Sequence, residues 1–311
     1  MSPQEIGNGA PLDSAPLNRM LRPTRPFYWS VRREIWENRS IYIAPLAVAG
    51  VVMFGLLVGA SRLPANAMHM ISTLDPVRRS EAMSIPFAIA AGAIMVTAFI
   101  VAVFYCLGTL QSERRDRSIL FWKSLPVSDL TTVLAKAAVP LVILPVIALV
   151  VMLATLLVLF VASAIMLPMN GLAPTLLMAS FPIGKVAVVM VYTLVVFTLW
   201  HAPIWGWLML VSGWARRATF LWAFGPPLAL CVFERLAFNT SYLASLISYR
   251  LTGCLAEAFD TTPTAHGSVH FDLHQLDPLK FMFTPGLWVG LAVAAALFAA
   301  TVWQRRYRAP L

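Results

Sequence analysis

Residues 113–129 read ERRDRSILFWKSLPVSD. They lie between two runs, Pro86–Leu110 and Ala137–Leu167, that contain no Asp, Glu, Lys or Arg. Runs of that length decide the fold, because about 20 residues at about 1.5 Å per residue cross a hydrocarbon layer of about 30 Å. Four more runs free of these charges follow the same rule: Ile41–Ala60, Val186–Ser212, Ala218–Phe233 and Pro285–Trp303. The fifth run in chain order, with 16 residues, must borrow from Glu234–Phe238 or sit obliquely. Hydrophobic residues make up 59% of the chain and charged residues 12%, against about a quarter charged in soluble domains. A soluble fold is excluded. The expectation is an all-α integral membrane protein with six transmembrane helices, over about 41–60, 86–110, 140–167, 186–212, 218–238 and 285–303.

The basic residues set the orientation. With the N-terminus inside, 16 of the 23 Lys and Arg residues fall on the cytoplasmic side and 7 outside, a clear positive-inside split. Acidic residues divide 7 and 7, so the formal net charge of +9 lies on the inner side. The charge therefore reports topology and anionic headgroups, and no nucleic-acid partner is expected. Both termini are predicted to face the cytoplasm, with the chain in the cell inner (plasma) membrane.

The first forty residues hold no apolar core of signal-peptide type, so the expectation is a mature N-terminus. Residues 1–26 read as a disordered cytoplasmic tail, and 27–308 as a single transmembrane domain. From Phe27 the pattern becomes amphipathic. Phe27, Tyr28, Val31, Ile35 and Trp36 share one helical face, and Ser30, Arg33, Glu34 and Glu37 the other. Tyr28, Val31, Arg32, Ile35 and Trp36 are taken to mark an interfacial helix on the inner leaflet. The large outer loop, 239–284, opens with Asn239-Thr240-Ser241, a helix-cap signature. Leu243, Leu246, Ile247, Leu251, Leu255 and Phe259 then recur at spacings of three and four, the pattern of a short helix in the outer leaflet.

Catalytic chemistry is hard to find. At Gly184-Lys185 a phosphate loop would need Gly in place of Ala179 and Ser or Thr in place of Val186, which excludes a Walker A loop there. Cys106, Cys231 and Cys254 lack metal or redox spacing. His266, His270 and His274 recur every four residues near Asp272 and Asp277, a conceivable metal set. Val269, Phe271 and Leu273 alternate with His270, Asp272 and His274, which equally describes a strand with a polar face. His201 is the sole His, Asp, Glu, Lys or Arg in the first four runs; amid Trp200, Trp205 and Trp207 it reads as a hydrogen-bonding group near the inner end of the fourth span. Spans without carboxylates argue against an ion-coupled carrier. The chain is expected to be no enzyme and to bind no cofactor or metal.

Residues 113–129 also carry a family resemblance. Glu113-Arg114, an apolar stretch over Ser118–Lys123, and then Leu125-Pro126-Val127-Ser128 resemble the coupling loop of type-2 ATP-binding-cassette (ABC) export permeases. The interfacial helix, the six spans and the large outer loop before the last span resemble that family too. The resemblance implies that loop 111–136 docks on a cytoplasmic ABC ATPase subunit, which would bind ATP and Mg. It also implies a second permease chain, as a homo- or heterodimer. Glu113, Arg114, Arg115, Arg117, Leu120, Phe121, Trp122, Lys123, Leu125 and Pro126 would form the docking surface, with apolar side chains buried against the partner and arginines facing its acids. Anionic lipid headgroups would also suit such a loop. Gly55 and Gly59 in the first span, and Gly286 and Gly290 in the last, are small residues suited to close helix packing. A non-transport membrane scaffold or sensor of the same topology is the alternative reading.

Overall fold

The computed structural model describes residues 24–61, 73–115, 127–169, 183–259 and 276–307 of the 311. They form α1 (Thr24–Glu37), α2 (Ser40–Ser61), α3 (Pro76–Arg115), α4 (Asp129–Ala138), α5 (Leu144–Met169), α6 (Ile183–Trp214), α7 (Thr219–Phe238), α8 (Tyr242–Ala258), α9 (Pro278–Phe283) and α10 (Pro285–Tyr307). Six helical stretches are long and apolar enough to cross a membrane: Ser40–Ala60, Arg78–Glu113, Asp129–Pro168, Ile183–Trp214, Thr219–Phe238 and Pro285–Tyr307. The fifth does take in Glu234–Phe238. Among the described residues there is no strand, only one antiparallel bridge, Phe259 to Leu276.

Side-chain burial explains why these runs belong in lipid. On α3, Ala90, Ile94, Ala98, Ala102 and Cys106 stand four residues apart and are all buried, a seam of mostly small side chains against which α2, α5 and α6 pack. The opposite side of the same helix exposes Ile85, Ile89, Val96, Ile100 and Phe104. α5 repeats the arrangement, with Ala148, Met152 and Leu156 inward and Val146, Val150 and Val161 outward. Large apolar side chains around the whole outer surface are untenable in water and natural in hydrocarbon. The chain is a multi-pass membrane protein.

The third spanning stretch is continuous but not regular. α4 passes into α5 through a π turn at Val139–Ile143. Pro140 lies in that turn and has no N–H to donate, so the wider turn absorbs the missing backbone bond.

α7 and α8 form a hairpin whose caps come from an unexpected source. Asn239 ends α7 in the left-handed conformation (φ 51°). Ser241 stands at the N-cap of α8, but its side chain makes no capping bond. Glu234 caps the helix instead: its carboxylate accepts from the backbone N–H of Tyr242 (2.6 Å) and Leu243 (2.9 Å), and from Thr240 Oγ1 (2.8 Å). An acid on α7 thus satisfies the orphan donors of α8 and fixes the hairpin.

α8 is held to α6 and α10 through Arg250. Its guanidinium lies over the Trp200 ring (4.7 Å) and donates to Gly286 O (3.0 Å), while its own carbonyl accepts from Trp200 Nε1 (3.0 Å). Gly286 and Gly290 are the notch for this contact. A Cβ at Gly286 would meet Tyr249, and one at Gly290 would collide with the Arg250 guanidinium. At Gly55 and Gly59 an added Cβ would meet nothing within 4 Å among the described residues. The four glycines therefore divide: two admit side chains from α8, and two leave a face of α2 open.

Cys254, on α8, is 4% exposed, and burial pushes its thiol pKa up. Gly290→Leu should displace Arg250 and loosen α8, so that Cys254 reacts with maleimide several times faster in detergent at pH 7.5. Cys106, fully buried in the α3 seam, should stay inert and serves as the internal control.

Candidate functional site

At one end of the bundle, four helix termini meet around ionised side chains. Glu34 comes from α1, Glu113 from the last turn of α3, Asp129 and Lys136 from α4, and Arg305 from the last turn of α10. Each lies close beside one of the charge-free runs or on α1, so helices ending at a common depth bring them together.

Lys136 is at the centre, 2% exposed. Nζ donates to Glu34 Oε1 (2.8 Å) and Thr109 Oγ1 (3.1 Å), and lies 3.1 Å from Glu113 Oε1. Its three N–H groups thus have three oxygen partners. The other oxygen of Glu34 accepts from the Tyr105 hydroxyl at 2.8 Å. The other oxygen of Glu113 accepts from Arg305 Nη1 at 2.6 Å. Arg305 Nε reaches Asp129 Oδ1 at 2.9 Å. Arg33 completes the set, 3.5 Å from Glu113 and 2.8 Å from Glu37. Among the described residues, the central acids Glu34, Glu113 and Asp129 face the bases Lys136, Arg305 and Arg33, the last shared with Glu37.

Local structure directs these groups inward. Ser128 takes the N-cap of α4, its Oγ accepting from Thr131 N at 3.1 Å. That frees the Asp129 carboxylate for Arg305. Ser212 on α6 accepts from the backbone N–H groups of Leu110 (3.1 Å) and Gln111 (3.2 Å), and Thr219 donates to the Gln111 side chain (3.1 Å). The end of α3 is therefore fastened to α6 and α7 next to the ion network.

The helix α1 sits on this cluster through the polar face that its sequence defines. Its polar face, with Arg33 and Glu34, turns into the protein, and Glu34 is 4% exposed. Tyr28, Trp29 and Trp36 point outward, while Val31 and Ile35 are half-buried. Arg32 lies over the Trp29 and Trp36 rings at 5.1 and 4.5 Å. Of the loop residues singled out by sequence, Glu113 is a buried member of the network and Arg115 is exposed. The side chain of Arg114, and all of Arg117, Leu120, Phe121, Trp122, Lys123, Leu125 and Pro126, lie outside the described residues, as do His266, His270 and His274. His201 is set mid-helix in α6, away from the end where sequence put it. It is 1% exposed, with Nδ1 2.8 Å from Phe197 O and Nε2 3.3 Å from Leu251 O on α8. Its role is to join α6 to α8 among Phe99, Phe197 and Trp205. Among the described residues, no group of three His, Cys, Asp or Glu is placed to hold a metal.

No protein-family model, no curated protein and no solved structure matches this chain.

Removing one charge from the network leaves another uncompensated. Lys136→Met should destabilise the protein by about 3–5 kcal/mol, measured as loss of denaturant or thermal resistance in detergent. Glu34→Gln combined with Lys136→Met should recover a large part of that loss, a non-additive cycle that independent sites would not give.

Proposed function

We propose that this chain is the membrane-spanning permease subunit of an ATP-driven exporter of the type-2 ABC kind, set in the inner (plasma) membrane with both termini cytoplasmic. On this reading a separate ABC ATPase subunit binds ATP and Mg and docks on the loop between Glu113 and Asp129, and two permease chains enclose the pathway. The chain itself catalyses nothing.

The observation that carries the proposal is the way the two ends of that loop are anchored. Glu113 precedes the loop and Asp129 follows it, and Arg305 binds both. Lys136, two turns into α4, ties Glu113 to Glu34 on α1. A force on the loop is thus delivered to α1, α3, α4 and α10 at once, which is what a permease driven from outside the membrane requires. The basic surplus at this end favours the cytoplasmic side, and the outward aromatic residues of α1 suit the headgroup region. The open glycine face of α2 at Gly55 and Gly59 suits close approach of a second chain.

The experiment is co-purification with the ATPase. Leu120→Asp or Trp122→Asp should leave membrane insertion and thermal stability intact, abolish co-purification of an ATPase chain, and remove stimulation of its ATPase activity in proteoliposomes. Undiminished association in both variants would overturn the proposal and favour a scaffold or sensor role.

A further inference from the structure

A cavity of about 510 Å³ lies between α6, α7 and α10, within the roughly 300–1,000 Å³ range of small-molecule sites. Three tryptophans, Trp207, Trp214 and Trp222, line it with Pro226 and Gln304. Trp207 donates its indole N–H to Ala223 O at 3.1 Å, so it offers the cavity a ring face and no free donor. Trp214 and Trp222 meet edge to face with centroids 4.8 Å apart. They are 42% and 46% exposed, so the cavity opens on the outer surface of the bundle.

Gln304 supplies the single polar demand. Its side chain is 7% exposed, yet Oε1 is buried and accepts no hydrogen bond. Gly213 leaves room beside that oxygen, since a Cβ there would stand 2.5 Å from it. Buried carbonyl oxygens are rarely left without a donor, because the lost hydration is not replaced. The contrast with the next residue is sharp: Arg305 donates to the carboxylates of Asp129 and Glu113.

We propose that this cavity binds an apolar amphiphile carrying one uncharged donor, an O–H or N–H, which bonds to Gln304 Oε1 while the apolar body lies against the tryptophan faces. The chemistry selects that class. A carbonyl oxygen repels an anion. Arg216 and Arg217 after α6, and Arg306 two residues past Gln304, disfavour a cation. The apolar walls reward a ligand body without further polar groups. A lipid hydroxyl and a dissolved aromatic alcohol share these features.

The test uses the full chain in nanodiscs and a photoreactive diazirine alkyl alcohol, compared with its methyl ether. The alcohol should label the walls of α6 and α7, between residues 207 and 226, about fivefold more than the ether, the ratio that one neutral hydrogen bond sustains. Gln304→Leu should equalise the two probes. Trp222→Ala, at a partly exposed position that a folded bundle tolerates, should lower alcohol labelling severalfold. Equal labelling by both probes in the unaltered chain, or an unchanged preference in Gln304→Leu or unchanged labelling in Trp222→Ala, would overturn the proposal. Competition by a monoacylglycerol added to the bilayer identifies the ligand source as membrane lipid. Competition by an aromatic alcohol added from water alone identifies a dissolved compound, and competition by neither overturns the site.

Discussion

Burying Lys136 beside two carboxylates is the constraint to which the rest of this end of the molecule answers. Taking an ion out of water costs several kcal/mol even after relaxation, while one pair at 4 Å regains only about 4 kcal/mol at an effective dielectric near 20. An isolated pair would barely break even. The network succeeds because Lys136 has three oxygen partners, both oxygens of Glu34 and of Glu113 are engaged, and Asp129 and Arg33 balance the remaining charge. Such an arrangement has one good geometry and few poor approximations to it. It therefore fixes where α1, α3, α4 and α10 end relative to one another, which apolar packing along their lengths would leave free to slide.

The opposite region is built by another rule. α7 and α8 expose most of their large side chains, and they are attached through a few directional contacts: the Glu234 cap, the Arg250 stack on Trp200, and the His201 contact with Leu251. Few buried apolar contacts mean a low cost of local opening. The molecule thus combines an end locked by charge with a hairpin held at discrete points.

Much of this was readable in the residues, and the failures have a common cause. The six charge-free runs locate the helices, because a stretch too apolar for water has few alternatives. The shortest run borrows Glu234–Phe238 as length demanded. On α1 the period gives the two faces and leaves open what covers each. Amphipathicity in a soluble protein points polar groups at water, but Glu34 is polar and buried while Trp36 is apolar and exposed. In lipid the sense of the pattern depends on what covers the helix, and period alone carries no such information. The network escaped for a related reason. Glu113, Lys136 and Arg305 each flank a run, so they read one at a time as interfacial charges, whereas their equal depth at neighbouring helix ends was a signal available from run boundaries. The glycines divided because spacing shows that a helix can be approached closely, not which element does so.

A loop anchored at both ends by the same arginine behaves differently from a loop that merely connects. Arg305 holds Glu113 on one side of the loop and Asp129 on the other, so the ends cannot separate without breaking a buried ion pair. A displacement applied between them is then more cheaply accommodated by moving α3 and α4 together, with α10 following through Arg305 and α1 through Glu34. The π turn at Pro140 lies just beyond this block, where the regular backbone ladder is already interrupted. Rigidity on the side of the loop and irregularity beyond it make Val139–Ile143 the place where α4 can reorient against α5 at least cost. The ion network thus joins the ends of α1, α3, α4 and α10 into one block, with the break in the regular ladder set just outside it.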